Sequence, residues 1–540
     1  MEPSQAVREL VERIEAEAGG CIDARRRALA AALEVADVAI QANPRAFSAW
    51  ADGTDVPGTA YERLLPAPAR RAEGQFQTPF WAADLMGRWL LSEPTATLYD
   101  PAVGSGRLLF RAFELGEQKP KRVVGWDIDQ LCVAMAALNL RLRGVENYKV
   151  SAADFLLDDA RLRQDGLLAN APDATIANPP FSRHQLLDAG VKEALHRQME
   201  ERADLRLSRR AGLHALFLLR ALTVAAPAGR LAFITPAGWL DADYGKKVKE
   251  YIVDRAAVEA MIILSGRRFF FDGVRTTAAI TLLRKGVGDR PTRLVRLGAR
   301  LPEADAVLAC VRGEGGPLKA QEFKLRPGAR WGRPSVRLPE GTPLGELARV
   351  RRGVATGYNR FFVISEARRN ELGLGRHLLH PCLYRPRYIA GNEIDLTDLD
   401  ALADELPRWL LRPPADQRDD SDDPLGRYLA LGREKLFVHK RHLTSNREPW
   451  FRVERRGGCE IVLPCMHRGA ARFIRNRAAA IPLNTFHVIE PKEGRIADEL
   501  WAALNDARVL RQLRQLGREY GNGLWKIEPG DLCRVRVRFG

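Results

Sequence analysis

Between residue 76 and about 290 the apolar positions fall into short runs, separated by longer stretches with helical spacing. The runs are TATLYD (95–100), RVVGWDI (122–128), ATIAN (174–178), GRLAFIT (229–235), VEAMIIL (258–264) and TTAAITLLR (276–284). QLCVAMAALNLRLRG (130–144) and HALFLLRALTVAAP (214–227) read as helices between them. Strands alternating with helices predict an α/β domain whose mostly parallel sheet is covered on both faces. Upstream, VRELVERIEAEA (7–18) and ARRRALAAALEVADVAIQA (24–42) predict a short N-terminal helical segment within 1–73. Gly53, Pro57, Gly58, Pro66 and Pro68 mark 51–75 as a connector, and a second Gly/Pro-rich stretch marks 313–345 as a linker. Residues 346–540 read as an α+β mixture without a clear period, and no internal repeat is present.

With 46% hydrophobic and 28% charged residues, the 540-residue chain has an ordinary globular composition. No run reaches the roughly 18 unbroken apolar residues a membrane span needs. MEPSQAVRELVERIEAEAGG lacks the basic and apolar regions of a secretion signal. Seven scattered cysteines with no CxxC pair suit reduced thiols, so a cytoplasmic location and no membrane association are expected. Neither Cys459, Cys465 and His467 nor His439 and His442 match a common zinc spacing, and no metal is expected. Charge is more informative. The net value is +16, and residues 331–540 hold 37 Lys and Arg against 27 Asp and Glu. Eleven of those acids crowd into 393–423 against three basic residues, so the excess elsewhere is 34 to 16. Such a surface favours a polyanion, most simply nucleic acid. An arginine-rich composition inherited from a GC-rich genome gives the same excess, so charge alone leaves both readings open.

LYDPAVGSGRLLFRAF (98–113) reads as strand, glycine-bearing loop and helix. Gly104 and Gly106 let the backbone approach a ligand at the first crossover of an open α/β sheet. The next strand ends in Asp127-Ile128-Asp129, spaced to bond a ribose hydroxyl pair. Asp100 would repel a phosphate and attract a cation, and the full GxGxxG fingerprint is absent. A nucleoside carrying positive charge is therefore expected. Farther on, ATIANPPFSRH (174–184) runs an apolar strand into two prolines, which fix two φ angles and hold Asn178 and Phe181 at the edges of a stiff shelf.

DPAVGSG (100–106) followed by NPPF (178–181) resembles the S-adenosylmethionine-dependent DNA amino-methyltransferases, whose cofactor loop usually reads DPACGSG. Val103 stands here in place of the cysteine. The segment order is similar to the gamma class, whose usual product is N6-methyladenine. The resemblance covers about 74–540 and implies a Rossmann-like methyltransferase domain over 74–312 and a DNA target-recognition domain over 346–540. It places Thr78 and Pro79 of GQFQTPFWAADLM at the methionine end of the cofactor. Asp100, Ala102, Gly104 and Gly106 follow in the loop, then Asp127 and Ile128, with Asp154 and Phe155 of AADFL at the adenine and Asn178 beside the methyl group. Asn178, Pro179, Pro180 and Phe181 form the implied catalytic tetrad, and Phe271 of GRRFFFDGVRTTAAITLLR would pack on the extruded base. RRGVATGYNRFFVI (351–364) and YGNGLWKIEP (520–529) resemble segments of the recognition domain.

The chemistry of the tetrad follows from the substrate. An adenine amino group has its lone pair delocalised into the ring, and two acceptors pulling on its hydrogens, the Asn178 side-chain oxygen and the Pro179 carbonyl, restore it. Phe181 offers a stacking face for a base rotated out of the duplex. Candidate DNA contacts are Arg351 and Arg352, Lys440 and Arg441, and Arg472 and Arg475. Double-stranded DNA is thus the expected partner, with a cognate restriction endonuclease or another defence component as a second. Sites of this type also methylate release-factor glutamines or RNA, and an inactive DNA-binding relative would share the motifs. The large basic region after 330 sets the chain apart from the compact glutamine-modifying proteins.

Overall fold

The computed structural model describes residues 5–18, 21–43, 50, 54–66, 77–164, 170–181, 189–208, 211–264, 277–286, 288, 290–298, 300–334, 338–414, 416–494, 496–520 and 523–539. The chain divides into two units, Met1–Pro334 and Ser335–Gly540.

Among the described residues the first unit is built on nine strands: β1 (Thr97–Asp100), β2 (Arg122–Asp127), β3 (Tyr148–Ala152), β4 (Ala174–Ala177), β5 (Arg230–Pro236), β6 (Ala256–Leu264), β7 (Ala278–Lys285), β8 (Thr292–Leu297) and β9 (Ala320–Phe323). Their spatial order is β3-β2-β1-β4-β5-β7-β6-β8-β9. Strands β1 to β5 are mutually parallel. Strand β7 inserts antiparallel between β5 and β6, β8 runs parallel to β6, and β9 closes the edge antiparallel to β8. Successive side chains point to opposite faces: Leu98 and Val123 enter one apolar layer, Tyr99 and Val124 the other. Burial on both faces is why these strands read as continuous apolar runs. The chain builds β2 and β3 on one side of β1 and then returns to place β4 on the other. A crevice opens at the carboxyl ends of the strands at such a reversal.

Three strands were not legible in the hydrophobic pattern. β3 is mostly half-exposed, β8 interleaves arginines (TRLVRL), and β9 (AQEF) is a polar edge. β3 and β9 are the edges of the sheet, where polar residues erase the apolar signal, whereas β8 lies between β6 and β9 and loses the signal to its arginines. The expected linker is also corrected, because β9 lies inside 313–345 and Trp331 is fully buried with its ring 5.8 Å from that of Trp239.

Helices α1 (Gln5–Ala18), α2 (Ile22–Ala42) and α3 (Val56–Leu64) precede the sheet. The proposed connector at 51–75 therefore contains a helix. Asp55 caps it by accepting from the Gly58 amide at 2.9 Å, and Pro57 sits in its first turn, where no backbone donor is needed. Next come α4 (Phe80–Leu90), α5 (Arg107–Leu115) and α6 (Gln130–Leu142). Helices α1 to α3 pack on Leu131, Met135 and Leu138 of α6 through Leu10, Ile14, Leu33 and Tyr61. The N-terminal helices thus share an apolar layer with the sheet-covering helix beside the crevice.

The second unit holds a five-stranded sheet, in spatial order Ala348–Arg352, Phe486–Pro491, Ile461–Pro464, Ile474–Asn476 and Glu393–Ile394. A four-stranded sheet (Val363–Ser365, Pro407–Leu411, Leu379–Leu383, Ile481–Pro482) and a three-stranded one (Met466–Arg468, Leu524–Lys526, Arg518–Tyr520) accompany it. Among the described residues no helix is long and apolar enough to cross a membrane.

Candidate active site

A cavity of about 300 Å3 lies at the carboxyl ends of β1, β2 and β4. Thr78, Ala102, Gly104, Asp127, Ile128 and Asp154 line it, as do Phe155, Asn178 and Pro180. Pro79, Asp100, Gly106, Pro179 and Phe181 are not part of its wall.

The loop between β1 and α5 is held from several sides. Val103 N donates to Trp126 O at 2.8 Å, and Gly104 N donates to Asp127 Oδ2 at 3.0 Å. Both glycines have positive φ, but their surroundings differ. Nothing lies within 4 Å of a Cβ built on Gly104, whereas one on Gly106 would meet the Ala136 Cα at 3.0 Å. Gly104 thus opens the cavity wall, and Gly106 lets α5 approach α6.

Asp100 corrects an expectation. It lies fully buried behind the loop, accepting from Ala102 N at 3.0 Å through Oδ1. Burial pushes its carboxyl up to about 8, so at neutral pH it is largely a neutral acid and does not act as a surface anion. Its Oδ2 is buried with no hydrogen-bond partner among the described residues. Because the folded value lies above the ordinary 3.8, the native state holds a proton that the unfolded state has released. Stability therefore falls as pH rises from about 4 to about 8, at roughly 1.4 kcal/mol per pH unit, and the contribution is lost above the folded value. Asp100→Asn should flatten that slope. The melting temperature of the variant relative to wild type should rise from about pH 5 to about pH 8. A difference that stays constant with pH would show that Asp100 does not titrate in this window.

Asp127 lines the cavity, and its carboxylate is held by Gly104 N through Oδ2 and by Asp129 N at 3.0 Å through Oδ1. Burial raises its pKa, and those N–H groups oppose the rise. Asp129, the second carboxylate of the expected pair, is turned elsewhere: it caps α6 through Leu131 N at 3.0 Å and pairs with Arg26 at 2.6 Å. Asp154 Oδ1 accepts from Leu156 N at 2.8 Å and braces the turn on the far wall. Phe155 is 1% exposed, within 5.8 Å of Tyr99 and 5.5 Å of Phe217 ring to ring, so it belongs chiefly to the core.

At the end of β4, Asn178 Nδ2 donates to Thr78 Oγ1 at 3.0 Å. That bond orients the carboxamide and makes its oxygen the group on offer as an acceptor. Phe181 is half-buried against the apolar layer around β4. Phe271 lies outside the described residues.

The sequence reading missed a buried polar cluster behind this wall. Asp55 is fully buried and accepts from Ser105 Oγ at 2.6 Å, Arg107 Nε at 2.9 Å and Asn139 Nδ2 at 2.9 Å. Arg107 Nη1 continues to Thr78 O at 2.8 Å. A hydrogen-bonded path therefore runs from the cap of α3 through Arg107 and Thr78 to the Asn178 amide. The Asp-Val-Pro-Gly helix start (55–58) is the one local signal that could have drawn attention to Asp55.

The six cationic residues expected to touch DNA divide sharply. Arg475 is buried and paired with Asp498 at 2.7 Å and Glu460 at 3.1 Å, and Arg472 donates to the carbonyls of Ala390 and Ile389. Both hold the fold together and are withdrawn as contacts. Arg351 and Arg352 are paired with Glu490 and Glu528. Lys440 and Arg441 are exposed, over the rings of Phe437 and Tyr358.

The cavity offers acceptors in Asp127 and Asp154, an orphaned buried oxygen in Asp100 beneath it, and an apolar lining from Ile128 and Phe155. Among the described residues its one lining arginine, Arg107, is already paired. That donor set suits ribose hydroxyls and positive charge, as in S-adenosylmethionine, and disfavours phosphate.

Comparison with known proteins agrees with this chemistry. Residues 52–298 match the family described as N-6 DNA Methylase, and 336–539 match the C-terminal domain of the Type II methyltransferase M.Eco57I. The first match starts before residue 74, which brings Asp55 and α3 into the family's shared region. The chain is 26% identical over 488 residues to the Type II methyltransferase M.AccI of Acinetobacter calcoaceticus, covering 87% of this chain and 86% of the relative. It is 28% identical over 472 residues to the Type II methyltransferase M.XamI of Xanthomonas campestris pv. amaranthicola, covering 86% and 85%. The DNA-bound structure of the Type IIL restriction-modification enzyme MmeI has the same fold at a TM-score of 0.56 and 14% identity, covering 88% of this chain and 69% of that one. The methyl donor is S-adenosylmethionine, and the chain is similar to the N-6 DNA methylases over 52–298 and to Type II methyltransferases over most of its length.

Proposed function

We propose that the chain is a site-specific adenine methyltransferase that acts on a base extruded from duplex DNA in the cytoplasm. In this reading residues 74–312 carry the chemistry and 346–540 read the target sequence. The observation that carries it is the Asn178 carboxamide, anchored by its nitrogen on Thr78 at the mouth of the cavity. Asp127 takes ribose hydroxyls and Asp154 takes the adenine amine of the cofactor, while Asp100 stays buried behind the loop. When bound, S-adenosylmethionine supplies an electrophilic methyl group on a sulfonium.

Asn178 Oδ1 and the Pro179 carbonyl accept the two hydrogens of the adenine amine, which pulls the nitrogen toward a tetrahedral shape and frees its lone pair for attack. No strong base is needed, since the proton becomes acidic only as the new N–C bond forms. The two prolines keep both acceptors in fixed relation, so little reorganisation accompanies the reaction. Phe181 stacks on the extruded base and, with Phe271, holds it against those acceptors. A methylase subunit of a Type I restriction enzyme among the relatives and the Type IIL restriction-modification enzyme among the solved structures support a restriction endonuclease or other defence component as a partner.

The test is direct. Duplex DNA incubated with the protein and S-adenosylmethionine should gain N6-methyladenine within one short sequence, read by sequencing that reports the modified base. N4-methylcytosine as the product would overturn the adenine assignment, and methylated protein or RNA with unmodified DNA would overturn the substrate class.

A further inference from the structure

In the second unit, the segment after the helix Pro424–Glu434 forms an anchored loop. Val438 and Thr444 are fully buried, and the Thr444 hydroxyl bonds the carbonyls of Val438 and Arg441. Arg447 clamps the carbonyls of Ala355 and Thr356, both at 2.7 Å. Between these anchors, Leu436, Phe437 and Leu443 turn outward, 42%, 53% and 43% exposed. Phe437 has φ 47° and ψ 37°, the left-handed conformation. For a bulky side chain this is a strained outlier, at a φ that glycine adopts without cost. The ring gains little inside the protein to offset that strain: it is more than half exposed and lies 5.1 Å from the Lys440 ammonium. Residues 433–447 carry five Lys and Arg against one Glu. Lys435, Lys440 and Arg441, within four residues of Phe437 along the chain, are all exposed.

We infer that Phe437 is a wedge that enters between stacked bases of duplex DNA, with Lys435, Lys440 and Arg441 on the neighbouring phosphates. This rests on reading the second unit as the DNA-recognising one. An apolar tip within a basic rim complements a polyanion whose interior is a stack of apolar faces, and such wedges unstack a step and kink the duplex. The buried anchors hold the ring before DNA arrives, so little conformational freedom is lost on insertion. The backbone strain at Phe437 is stored where the ring is presented.

Phe437→Gly separates the ring from the fold, because glycine accepts this φ without strain and should leave the melting temperature equal or higher. On duplex DNA carrying the sequence the wild type methylates, the variant should bind roughly fivefold or more weakly, as expected for a lost stacking contact. It should also bend the duplex less, read by energy transfer between the DNA ends. The salt dependence should stay unchanged in Phe437→Gly, whereas Lys440→Ala should lower the log–log slope by roughly 0.9 for one lost phosphate contact. If the wild type methylates and bends the duplex and Phe437→Gly does both equally well, the wedge is overturned while DNA recognition stands. A wild type that neither binds nor methylates duplex DNA overturns both. Binding to anionic lipid vesicles that Phe437→Gly weakens, with DNA affinity unmoved, would reassign the loop to a membrane surface.

Discussion

Asn178→Ala should stop methyl transfer while S-adenosylmethionine still raises the melting temperature and duplex DNA still binds. The carboxamide acts on the amine only as the N–C bond forms, so its loss falls on kcat and leaves binding nearly intact. Removing one preorganised polar group of this kind lowers turnover by about 100- to 1,000-fold. Thr78→Val keeps Asn178 but removes the oxygen that its amide nitrogen bonds at 3.0 Å. A smaller loss in kcat should follow, since the acceptor is present but no longer oriented. Turnover of Asn178→Ala within about tenfold of wild type would remove Asn178 from the chemistry.

How much of this was legible in the sequence depended on whether a feature was local. The central strands read out because both faces are buried, and the loop at Gly104 and the shelf at Asn178 read out because each is a contiguous motif at a strand end. Strands β3 and β9 did not, since they are sheet edges and carry the polar residues that make edges unsuitable for pairing with another chain, and β8, inside the sheet, did not because arginines interrupt its apolar positions. The Asp55 cluster was invisible for a different reason. Its partners Ser105, Arg107 and Asn139 lie 50, 52 and 84 residues away along the chain, and only the packing of α1 to α3 on α6 brings them together. Charge runs misled in the second unit. RFIRNR looks like a DNA contact, but Arg475 meets Asp498 and Glu460 inside the fold, and no count of arginines separates a buried ion pair from a free cation. Asp100 was recognised as important, but its burial, and so its protonation, follows from how the loop closes over it.

Asp55→Ala should be the most damaging change outside the cavity wall, and it should act on stability and turnover by separable routes. Removing the carboxylate leaves the Arg107 guanidinium 7% exposed and without its anion. Breaking a buried pair in this way costs about 3–5 kcal/mol, which should appear as a large drop in the melting temperature of the first unit. Ser105, which lines the cavity, also loses its 2.6 Å bond to Asp55, so the cofactor-induced rise in melting temperature should shrink. The effect on turnover travels through Arg107 to Thr78 and from Thr78 to the Asn178 amide. Replacing both members with apolar residues, Asp55→Leu with Arg107→Met, removes the unpaired charge, and such exchanges are close to neutral for stability. The double variant should therefore recover most of the melting temperature yet keep a low kcat, because nothing holds the Thr78 carbonyl or, through it, the orientation of Asn178. If kcat recovers together with stability, the Asp55 cluster serves only the fold, and Asn178 is positioned by the strand end and its prolines alone.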